Sequence, residues 1–338
     1  MLQIRNRTGH PASVLIAPDP EGVDSISAIL KASFTLEDSP RALPEQLPIA
    51  FSDEYRGDPG TSSLSRACDV GFAKPATDVI VTGHAWARMG RPASQMDVGI
   101  SLGSVRKLMR VFGDRTWEGG LVGHRMSAPR PFEKVPLVWE RAFGGLDQIS
   151  GREPKLVGEG RNPVGVGYCH AGGQKKVEGM LLPNVEDPRQ VIKAPTDRPT
   201  PAGFGPVCPH WEPRRNFAGT YDAAWLESRA PYLPKDFDPR FFQSAPHDQL
   251  VTPHLRGGET GELLGLTAEG SLRFSIPRLA ASVTFRLDQG AQKIQAVLDT
   301  VLIEPDYRRL VLVWRCALRC DKQTLRVREI EPELARVA

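Results

Sequence analysis

The stretch that decides the fold is Ser282–Cys320, SVTFRLDQGAQKIQAVLDTVLIEPDYRRLVLVWRCALRC. Asp288-Gln289-Gly290 and Glu304-Pro305-Asp306-Tyr307 punctuate it into runs of Val, Ile, Leu and Phe, the pattern of strands joined by turns. From Leu310 to Cys320, strand alternation puts Leu310, Leu312, Trp314, Cys316, Leu318 and Cys320 on one face, with Arg315 and Arg319 on the other. That reads as a half-buried strand. Upstream, SLRFSI (271–276) adds another.

The first third has the same texture. ISAILKASFTL (Ile26–Leu36), DVIVTGHAWA (Asp78–Ala87) and MDVGISLG (Met96–Gly103) are short β-rich runs bounded by Gly, Pro, Asp or Ser. VRKLMRVFG follows the last across a two-residue Gly103-Ser104 junction, which predicts an antiparallel hairpin.

Between Gly113 and Gly261 the periodicity fades into Pro-, Gly- and Arg-rich segments such as GREPKLVGEGRNPVGVGY and KAPTDRPTPAGFGPVCPHWEPRRN. Helical signals are brief: Asp222 caps DAAWLESRA before Pro231 stops it, and Asp238-Pro239 starts a turn through Phe242. Large rings are too frequent here for a solvated linker, among them Trp117, Trp139, Phe143, Phe204, Trp211 and Trp225. The segment is expected to be packed irregular chain laid over the sheets.

Composition removes several function classes. The 43 Lys and Arg against 40 Asp and Glu leave a net charge of +3 without a basic block, so nucleic acid is not an expected partner. The N-terminus has no charged region followed by a long apolar run, and no stretch reaches membrane-span length; a cytoplasmic location and no membrane partner are expected. The five cysteines, Cys68, Cys169, Cys208, Cys316 and Cys320, are scattered and odd in number, so reduced thiols are expected.

Candidate chemistry is sparse. Cys169-His170 and Cys208-Pro209-His210 supply two Cys and two His, but their spacing matches no standard zinc finger, and no metal is expected. Cys316 and Cys320 sit on the apolar strand face and read as core. No G-x-S-x-G accompanies a candidate nucleophile, and His84 and His247-Asp248 read as structural, so no catalytic residue is assigned. Gly144-Gly145, Gly172-Gly173 and Gly257-Gly258 lack phosphate-loop context and read as turn glycines; no cofactor is expected. The Arg-rich set Arg141, Arg152, Arg161, Arg214, Arg215, Arg240 and Arg256, interleaved with aromatic rings, fits either internal bracing of long loops or a protein-binding face. Trp139, Arg141, Trp211, Arg214 and Arg215 are the candidate partner-binding residues, because Trp and Arg most often dominate interfaces.

The central segments LVWERAFGG (137–145), GRNPVGVGY (160–168), LPNVEDP (182–188), PAGFGPV (201–207), HWEPRRNFAGTYDAAWLESRAPYLPKDFDPRFF (210–242) and LRGGE (255–259) come in an order that resembles the domain-of-unknown-function 2169 family. The likeness extends to NRTGHPASV and KASFTL near the N-terminus and to DTVLIEPDYRRLVLVW near the C-terminus. It departs at His247, where a second Pro is expected, and at Cys208. The resemblance implies an adaptor or chaperone of type VI secretion that loads a toxin effector onto the VgrG/PAAR spike, with no enzymatic activity. The alternatives are a metal-dependent or hydrolytic enzyme on a β scaffold, or a structural spike-associated subunit.

The expected architecture is mainly β: an antiparallel sandwich-like core with long ordered loops and a few short helices. Residues 1–338 are expected to form a single domain, with 113–260 a loop-rich elaboration between strand regions 1–112 and 261–338.

Overall fold

The computed structural model describes residues 2–119, 123–147, 157–170, 177–321 and 324–337. Gly172, Gly173 and Arg152 lie outside them.

Fourteen strands build two large sheets. In chain order they are β1 (Gln3–Ile4), β2 (Ala12–Pro18), β3 (Asp24–Thr35), β4 (Thr77–Val81), β5 (Gln95–Leu102), β6 (Val105–Phe112), β7 (Val185–Glu186), β8 (Leu250–Val251), β9 (Thr260–Leu264), β10 (Ser271–Ser275), β11 (Leu279–Leu287), β12 (Ala291–Glu304), β13 (Arg309–Arg319) and β14 (Val327–Arg336). The nine-stranded sheet runs β1-β14-β11-β12-β13-β3-β2 and curls into a nearly closed barrel. β12 is long enough to serve two neighbours on one edge: β11 along residues 291–296 and β4 along 300–303, with β8 paired outside β4. The second sheet runs β7-β6-β5-β9-β10, all antiparallel. Each sheet therefore draws strands from both terminal regions and from the centre.

The main core lies between the sheets. Leu30, Ala32 and Phe34 of β3, Val301 and Ile303 of β12 and Leu310, Leu312 and Trp314 of β13 pack with Val98 and Ile100 of β5, Met109 and Val111 of β6 and Leu263 of β9. A second cluster fills the far end of the curled sheet, with Ile26, Val283, Phe285, Cys316, Leu318 and Ile330. The Gly103-Ser104 hairpin forms as its sequence predicts, with Gly103 at φ 56°, a left-handed value that glycine takes without steric cost. Asp78–Ala87, read as one run, is two strands: β4 ends at Val81, and His84–Trp86 pairs with Lys134–Pro136 instead.

The half-buried reading of β13 is corrected. Its even residues face the core as expected, but Val311, Val313 and Arg315 are also buried, with Arg315 only 2% exposed. The outer face is covered by chain around Leu47, Ile49 and Asp69–Phe72 and by Ala245. Under that cover lie three ion pairs: Lys31–Asp69 (2.7 Å), Lys74–Asp78 (2.7 Å) and Arg315–Asp299 (2.8 Å). Asp299 occupies the irregularity where the β12–β13 register shifts between Leu298 and Thr300.

The short helices follow their caps. Asp222 Oδ1 accepts from Trp225 N at 2.8 Å at the start of α1 (Ala223–Ser228), and Asp238 Oδ1 accepts from Arg240 N at 2.9 Å before the 3₁₀ turn Pro239–Phe242.

Candidate functional site

The loop layer holds its own cores. Trp139 and Trp211 meet edge to face with centroids 6.2 Å apart, among Leu64, Ala142, Val207 and Cys208, and Trp139 Nε1 donates to Pro206 O at 3.0 Å. Arg214 is buried beside them: its Nε donates to Phe241 O (3.1 Å) and its Nη1 to Val207 O (2.5 Å). Three of the five candidate interface residues therefore brace the loop layer from within. Arg141 and Arg215 reach solvent, Arg141 with Nη1 donating to Asn184 Oδ1 (2.9 Å) and Arg215 paired with Glu212 (2.6 Å).

The two Cys-His segments are not brought together. Cys169 packs with Trp117, Phe143 and Leu182, whereas Cys208 lies in the Trp139–Trp211 cluster. Burial raises both thiols, Cys208 to about 12. Among the described residues no three His, Cys, Asp or Glu side chains are grouped to hold a metal ion. Gly257-Gly258 is a turn, at φ 94° and 90°. Gly144 instead belongs to a short parallel pair, Phe143–Gly144 with Val166–Gly167, where a Cβ would come within 2.1 Å of Asn162 O.

A groove of about 1380 Å³ lies beside the second sheet. One wall is the outer part of the second sheet, including Gly99, Ser101, Arg106, Leu108, Glu262 and Leu264; the other is loop chain around Pro188-Arg189, Pro201-Ala202 and Ala245–Asp248. Leu264, Gly99 and Leu108 form one cross-strand row and Glu262, Ser101 and Arg106 the next. Leu108 and Leu264 are 53% and 45% exposed, so this row of the wall is apolar and open to solvent. A Cβ on Gly99 would lie 2.5 Å from Leu108 Cδ2, so glycine there lets the Leu108 side chain lie flat across the sheet.

Six cations and four anions line the groove. Lys107, half-buried at its base, donates to Gly203 O (2.7 Å), Asp248 Oδ1 (2.7 Å) and Gln249 Oε1 (2.9 Å). Burial pushes its pKa down, and the Asp248 carboxylate opposes that. Arg161 makes a two-point contact with Glu159 (2.7 Å to each oxygen), and Arg240 pairs with Asp238 while lying over the Phe217 ring. Of the Arg-rich set, Arg161, Arg214 and Arg240 reach this groove.

Sequence reasoning did not single out Arg106, Lys107, Leu108 or Leu264. A signal was available, since Val105, Lys107, Met109 and Val111 share one face of β6, and a lysine in an otherwise apolar register marks a special environment.

A family model described as "Uncharacterized protein conserved in bacteria (DUF2169)" matches residues 21–315. The chain belongs to this family. The match takes in the whole of the second sheet, most strands of the first and every groove residue, so the groove is part of the family domain. No curated protein and no solved structure matches the chain. Among the described residues no helix is long and apolar enough to cross a membrane.

Proposed function

We propose that this DUF2169 protein is a bacterial cytoplasmic adaptor that binds a type VI secretion toxin effector and helps load it onto the VgrG/PAAR spike. The observation that carries the reading is the groove. Small-molecule sites are clefts or cavities of about 300–1,000 Å³ that bury most of their ligand. At about 1380 Å³, with exposed leucines beside arginines, this groove suits a polypeptide better than a metabolite. The ordered motifs from Asn6 to Trp314 that resemble secretion adaptors support the same reading.

Deleting the gene should lower the level and the secretion of the neighbouring toxin, and the toxin should co-purify with the protein in fixed stoichiometry. Unchanged secretion together with no co-purification would overturn the proposal.

A hydrolytic reading would draw on His84, whose Nδ1 lies 2.6 Å from Asp306 Oδ2. That aspartate also accepts from Trp86 Nε1 (3.0 Å), and the pair lies outside the groove. Among the described residues no hydroxyl or thiol is hydrogen-bonded to the ring, so the dyad has no nucleophile to activate.

A further inference from the structure

The groove wall contains an unfinished sheet edge. In the β5–β6 hairpin the two-residue loop makes Leu102 and Val105 the first hydrogen-bonded pair, and counting by twos adds Ile100 with Lys107 and Val98 with Met109. The N–H and C=O groups of Arg106, Leu108, Arg110 and Phe112 therefore point away from β5. At the far end these are used: β7 places Glu186 opposite Arg110, and Phe112 N donates to Asn184 O at 2.8 Å. Continued in register, the same chain would set Pro188 opposite Leu108 and Gln190 opposite Arg106. It does not continue. Pro188 has no N–H to give, and a turn closed by Gln190 N to Asp187 O (2.9 Å) takes the chain off the sheet. Among the described residues no hydrogen bond reaches the backbone of Arg106 or Leu108 from that side.

We propose that an extended segment of the bound protein pairs antiparallel to β6 at Arg106 and Leu108, completing the row that β7 begins. The inference rests on the adaptor reading for its partner and names how that partner is held. Only an extended polypeptide repeats a donor and an acceptor at the spacing this edge offers. Side-chain chemistry narrows it further. Arg106 donates to Gly103 O and Val105 O but has no carboxylate partner among the described residues, so it selects an acidic residue beside it. Leu108, lying flat over Gly99, leaves an apolar place beside it. In the antiparallel direction the recognised pattern is an apolar residue followed two positions later by Asp or Glu. Among the described residues the outer edge of β2 is also unpaired by another strand, but it lies outside the groove.

The test uses the full chain and a fluorescein-labelled peptide, Ser-Thr-Val-Thr-Glu-Thr-Ser, followed by fluorescence polarisation. Saturable binding is expected, and N-methylation of the Val and Glu amides, which would face β6, should weaken it at least tenfold. N-methylation of the two flanking Thr amides, which would face away, should change it less than threefold. Arg106→Glu should reverse the preference between this peptide and one with Lys in place of Glu. Leu108→Pro, which removes only an outward-facing N–H, should weaken binding at least tenfold. Hydrogen exchange should be fast at the Arg106 and Leu108 amides in the free protein and slowed by the peptide. No saturable binding, equal effects of the two methylation patterns, or protection appearing in β2 instead overturns the inference. A toxin that co-purifies equally with wild type, R106E and L108P overturns the edge while leaving the adaptor reading intact. Peptide binding that obeys these rules without any toxin partner overturns the adaptor reading and not the edge.

Discussion

Replacing Arg315 with methionine probes the least expected feature of the fold. Arg315 Nη1 donates to Phe72 O (2.9 Å) and pairs with Asp299 (2.8 Å), while Nη2 donates to Asp69 O (2.6 Å). The guanidinium thus ties the covering segment to β12 and β13. Methionine fills most of the volume but leaves a fully buried Asp299 carboxylate without its counter-charge and two carbonyls without their donor. Removing one partner of a buried pair costs about 3–5 kcal/mol. With about 2.1 cal/mol/K of unfolding entropy per residue, 338 residues give about 0.7 kcal/mol/K. The midpoint should therefore fall by about 4–7 °C, read by calorimetry at fixed protein concentration. Adding Asp299→Asn removes the stranded charge, so the double variant should recover part of the loss, a coupling of at least about 1 kcal/mol. A midpoint for R315M within 1 °C of wild type, or strictly additive effects with D299N, would refute the claim that this pair locks the cover onto the sheet.

Because both sheets combine strands from 1–112 and from beyond 260, fragments ending near Gly113 or starting near Gly261 should show no cooperative unfolding transition of their own; a sharp calorimetric peak from either would contradict this. Asp97, Asp187, Asp238 and Asp288 are each held below the usual carboxylate range chiefly by an Arg hydrogen bond, from Arg110, Arg189, Arg240 and Arg328. Their stabilisation is complete above the unfolded value of about 3.9 and is lost as pH falls through their lower folded values, so acid unfolding should steepen below about pH 4. These pairs are largely solvent-exposed, so the effect should shrink in 1 M salt; a salt-independent acid limb would point to other groups. With Cys169 and Cys208 in separate cores, elemental analysis should find no stoichiometric zinc, and one zinc per chain lost on Cys208→Ser would overturn that expectation.

Much of the fold was legible because its signals are local. Period-2 alternation in Leu310–Cys320, the Gly103-Ser104 hairpin and the Asp222 and Asp238 caps each depend on neighbours a few residues apart. What alternation could not tell was whether the second face of β13 meets water or a lid, since the lid comes from residues around 47–49, 69–72 and 245. Arg315 looked like a solvent residue because its partners are remote in sequence. The strand β14 was not read, its Glu- and Pro-rich VREIEPELAR lacking a long apolar run. Trp139, Trp211 and Arg214 were read as interface candidates, but composition cannot separate a ring in an interface from a ring in a loop core, where these lie. The groove was invisible because its walls come from residues 99–108, 188–202, 245–248 and 262–264, and its free edge depends on a register that ends at Pro188.

Whether the groove holds the toxin, as proposed, can be read by site-directed photo-cross-linking. A benzophenone amino acid placed at Leu264, on the groove wall, or at Tyr307, 71% exposed and outside the groove, reports what touches each site in the cell. The account predicts a cross-link to the toxin from position 264 and none from position 307. A toxin cross-link from 307 with none from 264 would contradict it.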